Sequence, residues 1–257
     1  VTSNDGQPGS GSSIRIRGIG TINDSNPLYV VDGMPVENGI DYLAPGDIER
    51  IDILKDAASC AVYGTRGASG VIIITTKSGK RETETTANYS AYMSVSNLGK
   101  TLDFFGPEEI RQGLTTFTDK GYDTDWLDAI TRTAFTHNHN FNITGGNKKT
   151  TYSADFTYRK EEGTILNTWG ESMRMRFDVS HWMLNDMLKV NLNMVKSRRK
   201  SGPVSGSGVY RYAIMRNPTE PIYNEDGSYY ENFGINYYYN PVGMLQEVEG
   251  ESTNENT

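Results

Sequence analysis

From residue 87 onward the sequence repeats a pattern that few folds accept, long runs in which every second side chain is apolar. Ala87, Tyr89, Ala91, Met93 and Val95 alternate with Asn88, Ser90, Tyr92, Ser94 and Ser96. His139, Phe141 and Ile143 oppose Asn140, Asn142 and Thr144, and Tyr152, Ala154, Phe156 and Tyr158 oppose Ser153, Asp155, Thr157 and Arg159. Met173, Met175, Phe177 and Val179 then oppose Arg174, Arg176, Asp178 and Ser180, and Leu188, Val190, Leu192 and Met194 oppose Lys189, Asn191 and Asn193. Successive side chains of a strand point to opposite faces, so each run predicts a strand with one apolar and one polar face.

Both a β-sandwich and a transmembrane β-barrel use such strands, and periodicity alone does not choose between them. The connections do. A long one separates the first two strands, the short Gly145-Gly146-Asn147-Lys148-Lys149 turn follows, then a medium loop over 161–170, a tight turn at Asn185-Asp186, and a long segment after Lys196. Alternating long and short links are the habit of outer-membrane barrels. The longest aliphatic run is Val71 to Ile74, which excludes a transmembrane helix of ~20 apolar residues but leaves a barrel open.

Residues 14–80 read differently, as short strands and turns around one short helix. Ile14-Arg15-Ile16-Arg17 alternates, and Leu28 to Val31 is a β-branched run ended by Asp32-Gly33-Met34-Pro35. Ile48 to Leu54 alternates again, with Ile51 and Ile53 on the face opposite Asp52 and Leu54. Asp56 is placed to N-cap a helix over 57–63, with Gly64 as its stop, and the strand Val71 to Lys77 is apolar on both faces at its start. The expected organisation is an α+β unit over 1–80 and long amphipathic strands over 81–257.

Charge and cysteine content narrow the chemistry. With 25 Lys plus Arg against 32 Asp plus Glu the net charge is −7, which argues against nucleic acid as a partner. Cys60 is the single cysteine, so no internal disulfide forms and no cysteine-based metal cluster is expected. Val1 to Ser13 lacks a basic start and an apolar core, so the expectation is a cytosolic protein or one whose front is missing.

Four groups of residues, in order, resemble the C-terminal part of the plug of SusC/RagA-family TonB-dependent outer-membrane transporters. They are Ile14-Arg15-Ile16-Arg17-Gly18, Pro27 to Pro35, Asp47 to Ala57, and Tyr63-Gly64-Thr65-Arg66-Gly67-Ala68-Ser69-Gly70-Val71-Ile72. Thr124-Asp125-Trp126-Leu127-Asp128, then His137-Asn138-His139-Asn140 and Gly145-Gly146, resemble the start of that family's barrel. Cys60, where Ser or Ala is usual, and Ser69, where Asn is common, are small departures.

The resemblance implies an α+β plug domain followed by the first antiparallel strands of a transmembrane β-barrel of about 22 strands. On that reading this chain is an internal piece carrying five or six of them. It also implies active import of an oligosaccharide or peptide across the outer membrane of a Gram-negative bacterium. The implied partners are TonB with its inner-membrane energising complex, a SusD-like surface lipoprotein and outer-membrane lipid. No enzyme activity, cofactor or metal is expected. The plug-motif residues with a structural or gating role would be Arg15, Arg17, Gly18, Asp32, Gly33, Lys55, Asp56, Tyr63, Gly64, Arg66, Gly67 and Gly70.

Other candidate sites are weaker. Gly18-Ile19-Gly20 lacks the third glycine and the Lys-Ser/Thr pair of a phosphate loop. Arg66 is expected to pair with a plug or barrel carboxylate. His137 and His139 share a strand face but have no further ligand nearby, and fit a strand boundary near the membrane interface; His181 is similarly isolated. Asp52, Asp56, Asp125 and Asp128 do not define a glycosidase pair, and Asp125 more simply caps a helix over 126–131. Tyr229, Tyr230, Tyr237, Tyr238 and Tyr239 are the candidates for stacking on cargo. On the inner face, Arg174, Arg176, Asp178, Lys189 and Asn191 would hold the plug by hydrated contacts. The rival expectations are a soluble β-rich binding or adhesion domain that displays Tyr-rich loops, and a hydrolase.

Overall fold

The computed structural model describes residues 2–3, 12–13, 16, 26–36, 43, 46, 48–99, 103–202, 206–232, 239–246 and 252–256. The expected strand over 14–17, apart from Ile16, lies outside them. A two-residue ladder pairs β1 (Thr2–Ser3) with β2 (Ser12–Ser13).

The amino-terminal sheet contains β3 (Leu28–Val31), β4 (Met34–Val36), β5 (Ile48–Leu54) and β6 (Val71–Thr76) in the order β4-β3-β6-β5. β3 runs parallel to β6, and the other pairs are antiparallel. Asp32 and Gly33, with φ of 49° and 88°, form a two-residue hairpin turn, so Met34 and Pro35 already belong to β4 rather than to the expected turn. Leu28, Val30 and Val71 pack with Cys60 in one cluster, and Ile72 and Ile74 with Leu43 in another. A strand covered on both sides reads as an unbroken apolar run, which is why Val71 to Ile74 does not alternate.

The link from β5 to β6 departs from the expected single helix. α1 covers only Ala57–Cys60 and passes into a 3-10 stretch over Ala61–Gly67. Asp56 occupies the N-cap position with extended dihedrals but its side chain makes no capping bond. Gly64, with φ 59° and ψ −146°, kinks the segment instead of ending it. Ile51 and Ile53 are exposed, while Leu54 on the other face packs towards the core.

The second sheet is a meander of six strands, each hydrogen-bonded antiparallel to the next: β7 (Thr83–Ser96), β8 (Ala134–Gly146), β9 (Thr150–Glu162), β10 (Trp169–Met183), β11 (Leu188–Ser201) and β12 (Ser252–Asn256). One face carries Thr151, Ser153, Asp155 and Thr157, all buried; the other carries exposed Tyr89, Met93, Phe141, Met175, Phe177, Leu192 and Met194. Among the described residues no second sheet covers that apolar face. A sandwich would press it against a partner, and a nearest-neighbour meander has none of the crossovers of a Greek key. The arrangement is a plug-like sheet followed by antiparallel barrel-type strands.

At one end of the sheet lie the short links 147–149 and 184–187; at the other lie 97–133, 163–168 and 202–251. The long links hold α2 (Pro107–Arg111), α3 (Trp126–Ile130), α4 (Gly206–Met215) and α5 (Pro241–Gln246). Trp126 and Ile130 of α3, Val209 and Ala213 of α4, and Val242 and Leu245 of α5 share one core. The two long connections, 97–133 and 202–251, therefore form a single roof, against which Ile165 and Leu166 of the shorter link also pack. No helix among the described residues is long and apolar enough to cross a membrane, which says nothing of crossing by strands.

Candidate functional site

The turn between β3 and β4 places Asp32 beside the end of β6, where the Thr76 amide donates to its Oδ1 at 2.9 Å and the Thr76 hydroxyl to its Oδ2 at 2.5 Å. From the inner face of the wall, Arg176 of β10 reaches the same group. Its Nη2 donates to Asp32 Oδ2 at 3.2 Å and to the Thr76 hydroxyl. Its Nε pairs with Asp178 Oδ2 at 2.7 Å, and Asn193 of β11 donates to Asp178 Oδ1 at 2.5 Å. Strand register sets Asp155 of β9 opposite Arg176, and Asn140 of β8 donates to Asp155 at 2.8 Å.

One guanidinium therefore stands among three carboxylates, two of the wall and one of the amino-terminal sheet. Arg176 is only 8% exposed, so its charge is held by these partners more than by water. Beside it lies a cavity of about 670 Å³ lined by Asp32, Met34, Leu43, Lys189, Asn191 and Asn193 among others. The joint is made of polar side chains next to room for water. Water can replace such contacts as they part, which an interlocked apolar seam does not allow.

A second contact binds the linker over 77–82 to the wall's short-turn end. Arg81 forms a two-pronged pair with Asp186 in the turn between β10 and β11, at 2.9 and 2.8 Å, and its guanidinium lies 3.9 Å above the Trp182 ring. Glu82 faces Lys148 at 3.8 Å. A Cβ on Gly79 would sit 2.4 Å from the Tyr152 carbonyl oxygen and 2.6 Å from that of Gly145, both backbone atoms that have little room to give. Gly79→Ala is accordingly expected to cost about 3 kcal/mol or to expel the linker from its slot. Thermal unfolding checks this, and a loss under about 0.5 kcal/mol would refute the fit.

The Asp186 carboxyl lies below the ordinary carboxylate range, first because Arg81 hydrogen-bonds it and further through the charges of Arg81 and Lys149. A depressed folded value means that the pair's contribution is complete above the ordinary value of about 4 and is lost as pH falls below it. Intrinsically corrected amide exchange at Arg81 and Glu82 is expected to rise as pH falls below about 4. In Asp186→Asn that rise should be lost; an undiminished rise would remove Asp186 as the cause.

Of the sequence candidates, the structure brings Asp32 to the wall through the turn that Gly33 permits. Arg15, Arg17 and Gly18 lie outside the described residues. Lys55, Asp56, Gly64 and Arg66 are exposed, Tyr63 is half-buried against the Cys60 cluster, and Gly67 and Gly70 are buried. The tyrosines divide. Tyr229 packs on the roof core with its ring against Gly243, and the Tyr230 carbonyl accepts from Arg216 and Asn240. Tyr239 stays 48% exposed, edge-on to Tyr212, while Tyr237 and Tyr238 lie outside the described residues.

His137 and His139 do share a face, with ring centroids 5.3 Å apart in a cluster with Tyr89, Phe135 and Tyr158. Among the described residues no three His, Cys, Asp or Glu side chains are grouped to hold a metal. Asp125 caps α3, accepting from the Leu127 and Asp128 amides, as the sequence predicts. Thr76, Asp155, Asn193, Arg81 and Asp186 were not flagged by sequence. Their roles arise from contacts between distant segments, which no local pattern announces.

Residues 1–71 match the TonB-dependent Receptor Plug Domain family. The TonB-dependent receptor SusC of Bacteroides thetaiotaomicron is 35% identical over 254 residues, 90% of this chain and 25% of its own length. The TonB-dependent receptor P26 of Formosa agariphila is 34% identical over 253 residues, 89% of this chain and 25% of its own. The chain thus spans about a quarter of the length of these curated relatives. Among solved structures, the RagAB peptide importer in the open-open state superposes with a TM-score of 0.75 at 22% identity, over 94% of this chain and 33% of that one. The siderophore receptor PirA from Acinetobacter baumannii gives 0.51 at 20% identity, over 78% and 27%. These last two show the fold alone.

Proposed function

The chain belongs to the SusC/RagA-type TonB-dependent receptors, and from that membership we propose that it supplies the plug and the opening wall strands of a nutrient importer in a Gram-negative outer membrane. The observation that carries the reading is the Asp32–Thr76–Arg176–Asp178 joint. It ties the amino-terminal sheet to the polar face of the wall by charges that can rehydrate as they part. The opposite face, with Tyr89, Met93, Phe177 and Leu192 exposed, suits contact with lipid tails. Among the described residues β7 and β12 stand at the sheet edges, where further strands would pair with them in a closed barrel.

Cargo is an oligosaccharide or a peptide, bound on the roof side. Exposed Tyr223 and Tyr239 offer ring faces there. A SusD-like surface lipoprotein covers that side, and TonB acts from the other. The relatives named above are receptors and transporters, and on this proposal the receptor moves its cargo unchanged.

The test is uptake by cells of a dye-labelled oligosaccharide pool and a dye-labelled peptide pool. Uptake of one pool is expected to vanish on deletion of the receptor and on collapse of the proton gradient. Uptake of both pools that survives either treatment would sink the proposal.

A further inference from the structure

We infer that Arg81, Trp182 and Asp186 make the linker the fixed end of the plug, so that opening of the bore begins at the Asp32–Arg176 joint and stops at Gly79. The inference rests on the importer reading above and adds to it which end of the plug stays in place.

These two contacts between plug and wall differ in kind. At the joint, side chain meets side chain beside a cavity of about 670 Å³, and Asp32 remains 30% exposed. At the linker, backbone meets backbone. The ideal Cβ of Gly79 falls 2.4 to 2.8 Å from main-chain atoms of Gly145 and Tyr152, and that of Gly146 falls 2.4 Å from the Lys80 carbonyl oxygen. The linker is threaded against the hairpin of β8 and β9 with no side chain between them to swing aside.

Arg81 then closes the slot from the other side. Its planar fork engages both carboxylate oxygens of Asp186 while its flat face rests on Trp182, so two geometries fix it at once. Asp186 is itself presented rigidly. Leu184, Asn185 and Asp186 follow one another at φ of 52°, 54° and 69°, a run that side-chain-bearing residues keep only where the surroundings impose it. The Trp182 amide, bonded to the Lys149 carbonyl at 2.8 Å, ties this turn to the β8–β9 turn next to it. Both turns thus act as one clamp on one segment.

A cargo-free experiment tests this on the complete receptor in a planar bilayer with potassium chloride on both sides. Urea is added on the short-turn side to open the bore and then perfused away. In a Cys60→Ala background, one variant carries Arg81→Cys with Asp186→Cys and another carries Asp32→Cys with Asp178→Cys. Each is treated with a short bis-methanethiosulfonate crosslinker. The linker crosslink is expected to leave opening and reclosure as in the parent, while the joint crosslink holds the conductance shut until reductant is added. Arg81→Ala with Asp186→Ala is expected to open normally but to reclose more slowly by roughly tenfold, a kinetic change that loss of stability alone would not confine to reclosure. A linker crosslink that blocks opening, or reclosure of the double alanine variant at the parent rate, overturns the fixed end and leaves the import reading standing. A joint crosslink that still opens overturns both.

Discussion

Replacing Arg216 by Ala is expected to unfold the roof at a cost of about 3–5 kcal/mol, the range for removing one partner of a buried ion pair. Arg216 and Glu220 are 1% and 2% exposed, with Nε and Oε2 3.1 Å apart. The same guanidinium pairs with Glu231 at 3.6 Å, donates to the Tyr230 carbonyl at 2.5 Å and stands 5.2 Å over the Trp126 ring. Without it two carboxylates share one site, Glu220 shut off from water and Glu231 27% exposed. Glu231 in turn accepts the Asn240 amide, and Asn240 caps α5 through the Val242 and Gly243 amides, so the loss spreads into the core. Amide exchange across 216–246 and Trp126 fluorescence would report it. Adding Glu220→Gln and Glu231→Gln should recover at least about 2 kcal/mol, because the uncompensated charges are then gone. A single-mutant loss below about 1 kcal/mol would show that the pair is not what holds the roof.

Arg176→Ala should loosen the plug where Arg216→Ala loosens the roof. Its removal takes away the guanidinium that stands among the carboxylates of Asp32, Asp155 and Asp178. The expected cost is about 2–3 kcal/mol, below the fully buried case because Asp32 keeps part of its contact with solvent. The effect should appear as faster exchange of the β6 amides near Thr76 and as leakage of small solutes through the assembled receptor. Exchange in the roof should not change. Arg176→Ala combined with Asp32→Asn and Asp178→Asn is expected to restore much of the protection. If the single variant leaves β6 exchange and leakage as they were, the joint does not hold the plug.

How much of this was legible in the sequence depends on whether the information was local. The five long strands could be read because each sets greasy against polar side chains at every step. The sixth could not, since Ser252-Thr253-Asn254-Glu255-Asn256 has no apolar residue and is a strand only because it pairs with β11. α3 announced itself through the Asp125 cap. α5 had a comparable signal that went unread, with Asn240 before Pro241 at the first helical position. α4 begins Gly-Ser-Gly, against helix propensity, and owes its form to packing with α3 and α5.

The alternation over Ile48 to Leu54 gave two faces but not which one turns inward; Ile51 and Ile53 face out. At the candidate site, Arg176 and Asp178 could be placed on the inner face, and Asp32 was marked by family resemblance. That Asp32 and Arg176 meet, 144 positions apart, is a fact of the assembled molecule.

The shared core of the roof also dictates an order of events as the protein forms. Trp126 and Ile130 are made early and Val242 and Leu245 much later, yet none of them is covered until all are present. Joining such distant segments carries a chain-closure cost that neighbouring hairpins largely avoid. The zigzag of β7 to β11 would therefore align first, with Trp126 waiting uncovered beside it. Only when the stretch from Asn240 onward arrives does the tryptophan find shelter.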